Sequence, residues 1–260
     1  MRRFTPLLFL ATLVSGCASL PGKTTATIDN RRVEYVLSRN GGATVVFENG
    51  LGGTLDGWAK VAPEVGKDAI TFAYNRPGYG KSDAVDTPRD GQHVVDELRS
   101  LLLSQGLRPP YVLVGHSLGG LYMQLFARRY PDEVSALVLV DSTHPEQFKG
   151  AGARENWPAW ARVIVGVAMS ATAKAELNAI DATGEEVLRL PTFTGKPVMV
   201  LSALKPMSNK SALADDANAK RKEIARLYPG STQRWIDSGH VIPLEKPEAV
   251  IAAIREVLPN

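Results

Sequence analysis

Residues 115–120, Gly-His-Ser-Leu-Gly-Gly, constrain the fold most, because they join two segments of opposite character. The apolar run 111–114 before them is typical of a buried strand, and residues 121–129 after them are typical of a helix. Ser117 therefore stands at the apex of a sharp turn from strand to helix. Side chains at 115 and 119 would collide with neighbouring backbone in so tight a turn, so glycine is required there and the Ser117 backbone is expected to be strained.

The composition is that of a globular protein with one large core. The chain has 260 residues, of which 44% are hydrophobic and 22% charged, and this length favours one α/β domain over two. The formal net charge is only +3 and no basic run is long, so we do not expect nucleic-acid binding. After the N-terminus, no apolar segment is long enough to predict a membrane-spanning helix.

The N-terminus has the pattern of a bacterial signal peptide. Arg2 and Arg3 form a positive region, residues 4–14 are apolar, and Leu-Val-Ser-Gly-Cys follows at 13–17. This end resembles the lipobox of bacterial lipoproteins, in which the cysteine is lipidated and becomes the first residue of the mature chain. Cys17 is the only cysteine, so an internal disulfide is impossible.

We therefore predict a signal peptide over 1–16 and a lipidated tether over 17–26. The resemblance implies attachment to the outer membrane, facing the periplasm, because Ala18 rather than aspartate follows the cysteine. The membrane partner would be reached through the acyl chains on Cys17. The alternative is an ordinary signal peptide that leaves a periplasmic or secreted protein.

The remaining chain, 27–260, predicts one α/β domain. Two short alternating strands at 27–29 and 33–37 form an antiparallel pair, and from residue 44 onward apolar strands alternate with helices. This order predicts a mostly parallel central sheet of about eight strands with helices on both faces. The pattern changes between 145 and 194, where Trp157 and Trp160 begin an amphipathic stretch; this insertion is expected to form a small helical cap, with the tryptophans either lining an apolar lid or packing in a core.

Four stretches resemble the α/β-hydrolase fold family, in its serine hydrolase and esterase branch. They are the G-x-S-x-G nucleophile elbow at 115–119, the glycine-rich loop 49–54 after a buried strand, the Arg-Pro-Gly-Tyr-Gly loop at 76–80 and the pair Gly239-His240 after the last strand. The resemblance covers nearly all of the mature chain and implies an α/β-hydrolase fold with Ser117 as the nucleophile. We expect Arg76 to hold its loop near the elbow rather than to act in catalysis.

The base and the acid follow from the order of the family's triad, serine, then carboxylate, then histidine. His240 is the predicted base, since it follows the last strand as in the family. The loop at 202–207, where the family usually carries the acid, contains no carboxylate. We choose Asp141, which ends an apolar strand as in some family members, and keep Asp215 or Asp216 as the alternative. His144 is either a substrate-pocket residue or a loop histidine, and His116 is expected to pack beneath the elbow.

The resemblance further implies an oxyanion hole formed by the N–H groups of Leu51 and Leu118. No metal-ligand spacing is present, and neither a metal nor a cofactor is expected. The expected function is hydrolysis of a carboxylic ester through an acyl-enzyme on Ser117. The alternatives are a peptidase similar to proline iminopeptidases and a non-catalytic, membrane-tethered binding module; a dehalogenase or epoxide hydrolase would need aspartate in place of the serine.

Overall fold

The computed structural model describes residues 19–28, 30–205 and 211–259. Within them a single sheet of eight strands runs through the molecule, in the order β1-β2-β4-β3-β5-β6-β7-β8. From β4 across to β8 all neighbours are parallel, whereas β2 pairs antiparallel with both β1 and β4. The strands are β1 Thr24–Ile28, β2 Arg31–Arg39, β3 Thr44–Glu48, β4 Ile70–Tyr74, β5 Tyr111–His116, β6 Val134–Val140, β7 Val198–Ala203 and β8 Thr232–Ile236. The predicted α/β fold with a mostly parallel sheet is confirmed.

Helices cover both faces of this sheet. Alternate residues of the buried strands face opposite cores, as the period of two requires: on β5, Leu113 packs in one core while Val112 and Val114 pack in the other. The helices are α1 Ala62–Val65, α2 Gly91–Ser104, α3 Leu118–Arg129, α4 Ala159–Ala168, α5 Ala171–Asn178, α6 Ile180–Arg189, α7 Ala212–Glu223, α8 Ile242–Glu245 and α9 Pro247–Val257. Apolar side chains of α2 and α3 fill the first core, and those of α1 and α9 fill the second.

The cap helices α4, α5 and α6 lie between β6 and β7, inside the predicted insertion 145–194. Helix α6 packs on α2 and α3 and so fixes the cap to the body of the domain. On helix α4 the side chains of Val163 and Val167 are 63% and 83% accessible. Among the described helices, none is both long enough and apolar enough to cross a membrane.

The start of the domain differs from the prediction. Strand β1 begins at Thr24, so residues 24–26 belong to the sheet rather than to the tether that we placed over 17–26. Their threonines and alanine suit an edge strand, which needs only one partner and tolerates polar side chains on its exposed face. Leu20 is already buried, and its N–H donates to Asp56 Oδ1 at 2.8 Å. Cys17 and the predicted signal peptide lie outside the described residues.

Candidate active site

The turn between β5 and α3 has the strained geometry expected of an elbow. Ser117 has φ 53° and ψ −123°, a region that residues other than glycine rarely adopt, and its N–H donates to the carbonyl of Val140 at 3.1 Å. A Cβ at Gly115 would lie 2.5 Å from the carbonyl oxygen of Gly119, and one at Gly119 would lie 2.4 Å from that of Glu48. The predicted collisions are thus present, and glycine at both positions allows the strand and the helix to meet this closely.

Three of the predicted site residues form one chain of hydrogen bonds. Ser117 Oγ lies 3.0 Å from Nε2 of His240, and Nδ1 of the same ring lies 2.6 Å from Oδ2 of Asp141. Ser117 follows β5, Asp141 follows β6 and His240 follows β8, so parallel strands bring the three to one edge of the sheet. The Asp141 side chain is fully buried, whereas the His240 side chain is 37% exposed and can be reached from outside.

The carboxylate of Asp141 is held from a second side by donors. Oδ1 accepts the N–H of Ala203 at 3.0 Å and Nε of Arg221 at 2.5 Å, and Oδ2 accepts Nη2 of Arg221 at 3.0 Å. Burial alone would raise the pKa of Asp141, but the hydrogen bond and charge of His240 and the guanidinium of Arg221 outweigh it and hold the pKa well below its usual range. The carboxylate is therefore ionised throughout the neutral range.

Arg221 was missed by sequence reasoning. It lies on α7 within the run Lys220-Arg221-Lys222, and the sequence alone does not show which of these three basic residues faces the site. A basic residue on a charged helix normally faces solvent, so only the fold, which places α7 beside the end of β6, distinguishes Arg221 from its neighbours.

The alternative carboxylates lie elsewhere. Asp215 is exposed on α7, and Asp216 pairs with Lys220 one turn further along the same helix at 2.7 Å. Asp237, close in sequence to the histidine, forms an exposed ion pair with Lys205. Within the described part of the chain, the carboxylate in hydrogen-bond contact with His240 is that of Asp141.

The loop after β3 lies directly against the elbow. A Cβ on Gly50 would be 3.1 Å from Cβ of Ser117 and 3.3 Å from Nδ1 of His116. Leu51, the next residue, is one of the two predicted oxyanion donors. Leu118, the other, is buried and opens α3, so its N–H has no acceptor within the helix. Both predicted donors thus belong to segments that touch the serine.

Arg76 is buried beside this loop, and every N–H group of its guanidinium donates a hydrogen bond. It donates to the backbone carbonyls of Asn49 and Gly50, at 2.6 and 2.9 Å. It also pairs with two buried carboxylates, Glu48 of β3 at 2.6 Å and Glu176 of cap helix α5 at 2.8 Å. Burial raises the pKa of Glu48, although the charge of Arg76 opposes this shift. Burial also acts to lower the pKa of Arg76, but the charges of Glu176 and Glu48 outweigh it and raise that pKa. The expected structural role of Arg76 near the elbow agrees with these contacts.

Two further histidines lie near the site. His116 donates from Nε2 to the carbonyl of His240 at 2.8 Å, and the two rings lie 4.8 Å apart, so His116 holds the backbone of the predicted base. Burial lowers the pKa of His116 to about 4, which keeps its ring neutral. His144 is buried and accepts the N–H of Glu146 at its Nδ1, at 3.0 Å; burial lowers its pKa as well. This contact fits the loop role for His144.

The cap tryptophans are only partly described. Trp157 donates from Nε1 to the carbonyl of Gly152 at 3.1 Å and packs edge-on against Phe148, with ring centroids 5.1 Å apart. These contacts favour the core role for Trp157. The side chain of Trp160 lies outside the described part of the chain.

In residues 19–28, 30–205 and 211–259, no cluster of histidine, cysteine and carboxylate side chains has the arrangement of a metal site.

Comparison with known proteins places this chain in a family. A family model described as alpha/beta hydrolase fold matches residues 43–173. The uncharacterized protein YbdG of Bacillus subtilis is 29% identical over 134 residues, 50% of this chain and 41% of that protein. The (Lyso)-N-acylphosphatidylethanolamine lipase of Homo sapiens is 26% identical over 140 residues, again 50% of this chain and 39% of that protein. The chain therefore spans less than half of either curated relative.

Similarity to solved structures extends over the whole domain. An esterase from Thermogutta terrifontis has a TM-score of 0.63 at 23% identity, covering 90% of this chain and 97% of that one. At this identity the likeness concerns the fold. Since the family model matches half of the chain, including the elbow, and the sheet has the expected order, this chain belongs to the α/β-hydrolase fold family.

Proposed function

We propose that this protein is a serine hydrolase that cleaves carboxylic esters through an acyl-enzyme on Ser117. The observation that carries the proposal is the continuous chain of hydrogen bonds from Ser117 through His240 to Asp141. A hydroxyl is a weak nucleophile unless a base takes its proton, and the base needs a third group to orient it. All three parts have the required order and contacts.

In the proposed first step, Ser117 Oγ bonds to the ester carbonyl carbon while its proton passes to Nε2 of His240. The electron pair of the C=O bond moves to the oxygen, and the N–H groups of Leu51 and Leu118 stabilise the resulting oxyanion. Loss of one such donor typically costs about 3 kcal/mol in the barrier. Collapse of this intermediate breaks the bond to the alcohol, which leaves with the proton from His240.

In the second step, a water molecule gives a proton to the same Nε2 while its oxygen bonds to the acyl carbon. The bond from that carbon to Ser117 Oγ then breaks, Oγ takes the proton back from Nε2, and the acid leaves. The ionised Asp141 keeps the other imidazole proton on Nδ1 and stabilises the imidazolium during both steps. His116 contributes indirectly, since its contact with the His240 carbonyl fixes where the base stands.

The names of two similar proteins support an ester substrate. The human relative is a lipase and the structural neighbour from Thermogutta terrifontis is an esterase. For this chain we propose ester cleavage, and the test must distinguish it from amide cleavage.

The test combines a covalent probe with a substrate panel. The purified protein should react with a fluorophosphonate probe, and Ser117→Ala should abolish both this labelling and the hydrolysis of p-nitrophenyl esters of increasing chain length. Folded wild-type protein that does not label would favour the binding module instead. Preferential cleavage of aminoacyl amides in the same panel would favour the peptidase.

We also propose that the protein is anchored in the bacterial cell envelope through a lipid on Cys17, most simply at the outer membrane. Burial of Leu20 supports a short tether, because the packed part of the chain begins soon after the cysteine. An alkyne-tagged fatty acid supplied to a Gram-negative host should label the wild type but not Cys17→Ser. An unlabelled wild-type protein in the periplasmic fraction would show that the signal peptide is an ordinary one.

A further inference from the structure

The Arg76 guanidinium is joined to the loop that carries the proposed oxyanion donor. Arginine has five N–H groups, and here each has an acceptor. Nε and Nη2 donate to the two carboxylate oxygens of Glu176 at 2.8 and 2.9 Å, while Nη1 donates to Glu48 Oε1 and to the Asn49 carbonyl, both at 2.6 Å. The fifth bond, from Nη2 to the Gly50 carbonyl at 2.9 Å, bears directly on the proposed chemistry.

The carbonyl of Gly50 and the N–H of Leu51 belong to one peptide unit. Because that unit is planar, a bond that fixes the oxygen also fixes the direction of the N–H. A cationic donor on the oxygen also polarises the unit, and this strengthens the N–H as a donor. Arg76 thus acts on the Leu51 N–H without touching the substrate.

Tyr79, three residues after Arg76, donates to the same carboxylate. Its hydroxyl bonds to Glu176 Oε2 at 2.8 Å, the oxygen that also accepts Nη2 of Arg76. Tyr79 thus helps to hold Glu176 against Arg76, and through Arg76 it supports the Gly50 carbonyl.

The two carboxylates on Arg76 come from different parts of the molecule. Glu48 belongs to β3 and accepts the Tyr74 hydroxyl at 2.5 Å, so it is fixed to the sheet. Glu176 belongs to α5 of the cap and is fully buried. If the cap moved away, a buried guanidinium would lose one of its two counter-charges, which is costly. The position of the cap and the order of the loop are therefore linked.

We propose that Arg76 is a positioning residue for the Leu51 oxyanion donor, and that Glu176 makes this donor depend on the seating of the cap. The inference rests on the proposed ester hydrolase function and extends it to two residues outside the triad. It assigns the cap a part in transition-state stabilisation, in addition to any contact with the substrate.

The test compares two glutamates of the cap. Glu176→Gln keeps the size and one acceptor oxygen but removes the charge. Glu185→Gln is the matched control, because Glu185 makes an exposed ion pair with Lys149 on the cap surface. In Glu176→Gln we expect kcat for p-nitrophenyl butyrate to fall about tenfold or more, with KM nearly unchanged. The loss should be smaller than that for complete removal of an oxyanion donor, because the Leu51 N–H is still present but is less well oriented. Glu185→Gln should match the wild type.

A merely structural role would not produce the same pattern. In Glu176→Gln, affinity for a trifluoromethyl ketone with the same acyl chain should weaken by the same factor as kcat/KM, because the ketone adduct carries an oxyanion. Unchanged kcat in folded Glu176→Gln, or a rise in KM alone, would overturn the inference while leaving the proposed function intact. A folded wild type that neither labels nor cleaves esters would overturn both.

Tyr79→Phe covers the case in which Glu176→Gln does not fold. This variant keeps both carboxylates and removes only the hydroxyl that donates to Glu176 Oε2. A smaller loss of kcat in the same direction, with KM unchanged, would support the inference, and a wild-type kcat in folded Tyr79→Phe would overturn it.

Discussion

Replacing Asp141 by asparagine should change which nitrogen of His240 carries the proton. Oδ1 receives two donors that cannot become acceptors, Nε of Arg221 and the N–H of Ala203. Oδ2 receives only one such donor, Nη2 of Arg221, because His240 can move its ring proton, so we expect the asparagine to place its oxygen at the Oδ1 position. Its NH₂ group then occupies the position of Oδ2, which lies 2.6 Å from Nδ1 of His240. An NH₂ group donates, so Nδ1 becomes an acceptor and the ring proton moves to Nε2, which faces Ser117.

A ring protonated at Nε2 cannot take the proton of the serine. The same exchange in the serine protease triad lowers kcat by about 10⁴-fold, roughly 5.5 kcal/mol in the barrier, and we expect a loss of that order here. KM should change little, because Asp141 is buried beneath the ring and does not face the substrate. Steady-state hydrolysis of p-nitrophenyl butyrate gives both constants, and a thermal melt confirms that the variant is folded.

Asp216→Asn is the control for the choice of acid. Asp216 pairs with the largely buried Lys220 on α7 rather than with His240, so its loss should lower stability more than activity and change kcat by no more than about twofold, roughly 0.4 kcal/mol in the barrier. The reasoning is refuted if folded Asp141→Asn keeps kcat within about tenfold of the wild type, far from the loss typical of a missing triad acid. A larger loss in Asp216→Asn than in Asp141→Asn would show that the acid is Asp216.

Two other perturbations test the packing around the elbow. The pKa of His116 is about 4 in the folded protein and 6.5 ordinarily, so the unfolded chain binds the proton more readily and stability falls as pH drops below 6.5. Between pH 7 and 5 His116 should lower the free energy of unfolding by about 2 kcal/mol. His116→Gln should remove this part of the pH dependence, measured by urea unfolding at each pH; the same pH dependence in variant and wild type would contradict the assignment. Gly119→Ala should destabilise by about 1–3 kcal/mol, since its Cβ meets a backbone oxygen. Gly166→Ala on α4, where a Cβ meets nothing within 4 Å, should leave stability unchanged or raise it when both variants are compared by thermal unfolding. Similar losses of stability in the two variants would be evidence against a collision at Gly119.

The elements nearest the site were predictable because their constraints are local. The glycines of the elbow follow from the tightness of one turn, and Asp141 stands out as the carboxylate directly after an apolar strand. The order of strands and helices follows from periodicity over a few residues at a time. Each of these signals is contained in a short stretch of sequence, and the structure confirms the fold that they predict.

The contacts that were missed join distant parts of the chain. Arg221 meets Asp141 across 80 residues, and Glu176 meets Arg76 across 100. Both Arg221 and Glu176 lie on helices with other charged residues, where a buried ion pair and a solvated side chain give the same pattern. The start of β1 was missed for a related reason, since polar residues on an edge strand resemble a tether. Only the packing of the elements distinguishes these possibilities.

The bond from Ala203 to Asp141 has a consequence for how such a site can change over generations. It brings the ends of β6 and β7 to the same carboxylate, at 3.0 Å. A lineage could therefore acquire an acid after β7 while the older one still served, and lose the older one later, without passing through an inactive ancestor. Selection for restored activity in Asp141→Asn should accordingly return new carboxylates at residues 202–205; suppressors that arise only elsewhere would argue against this route.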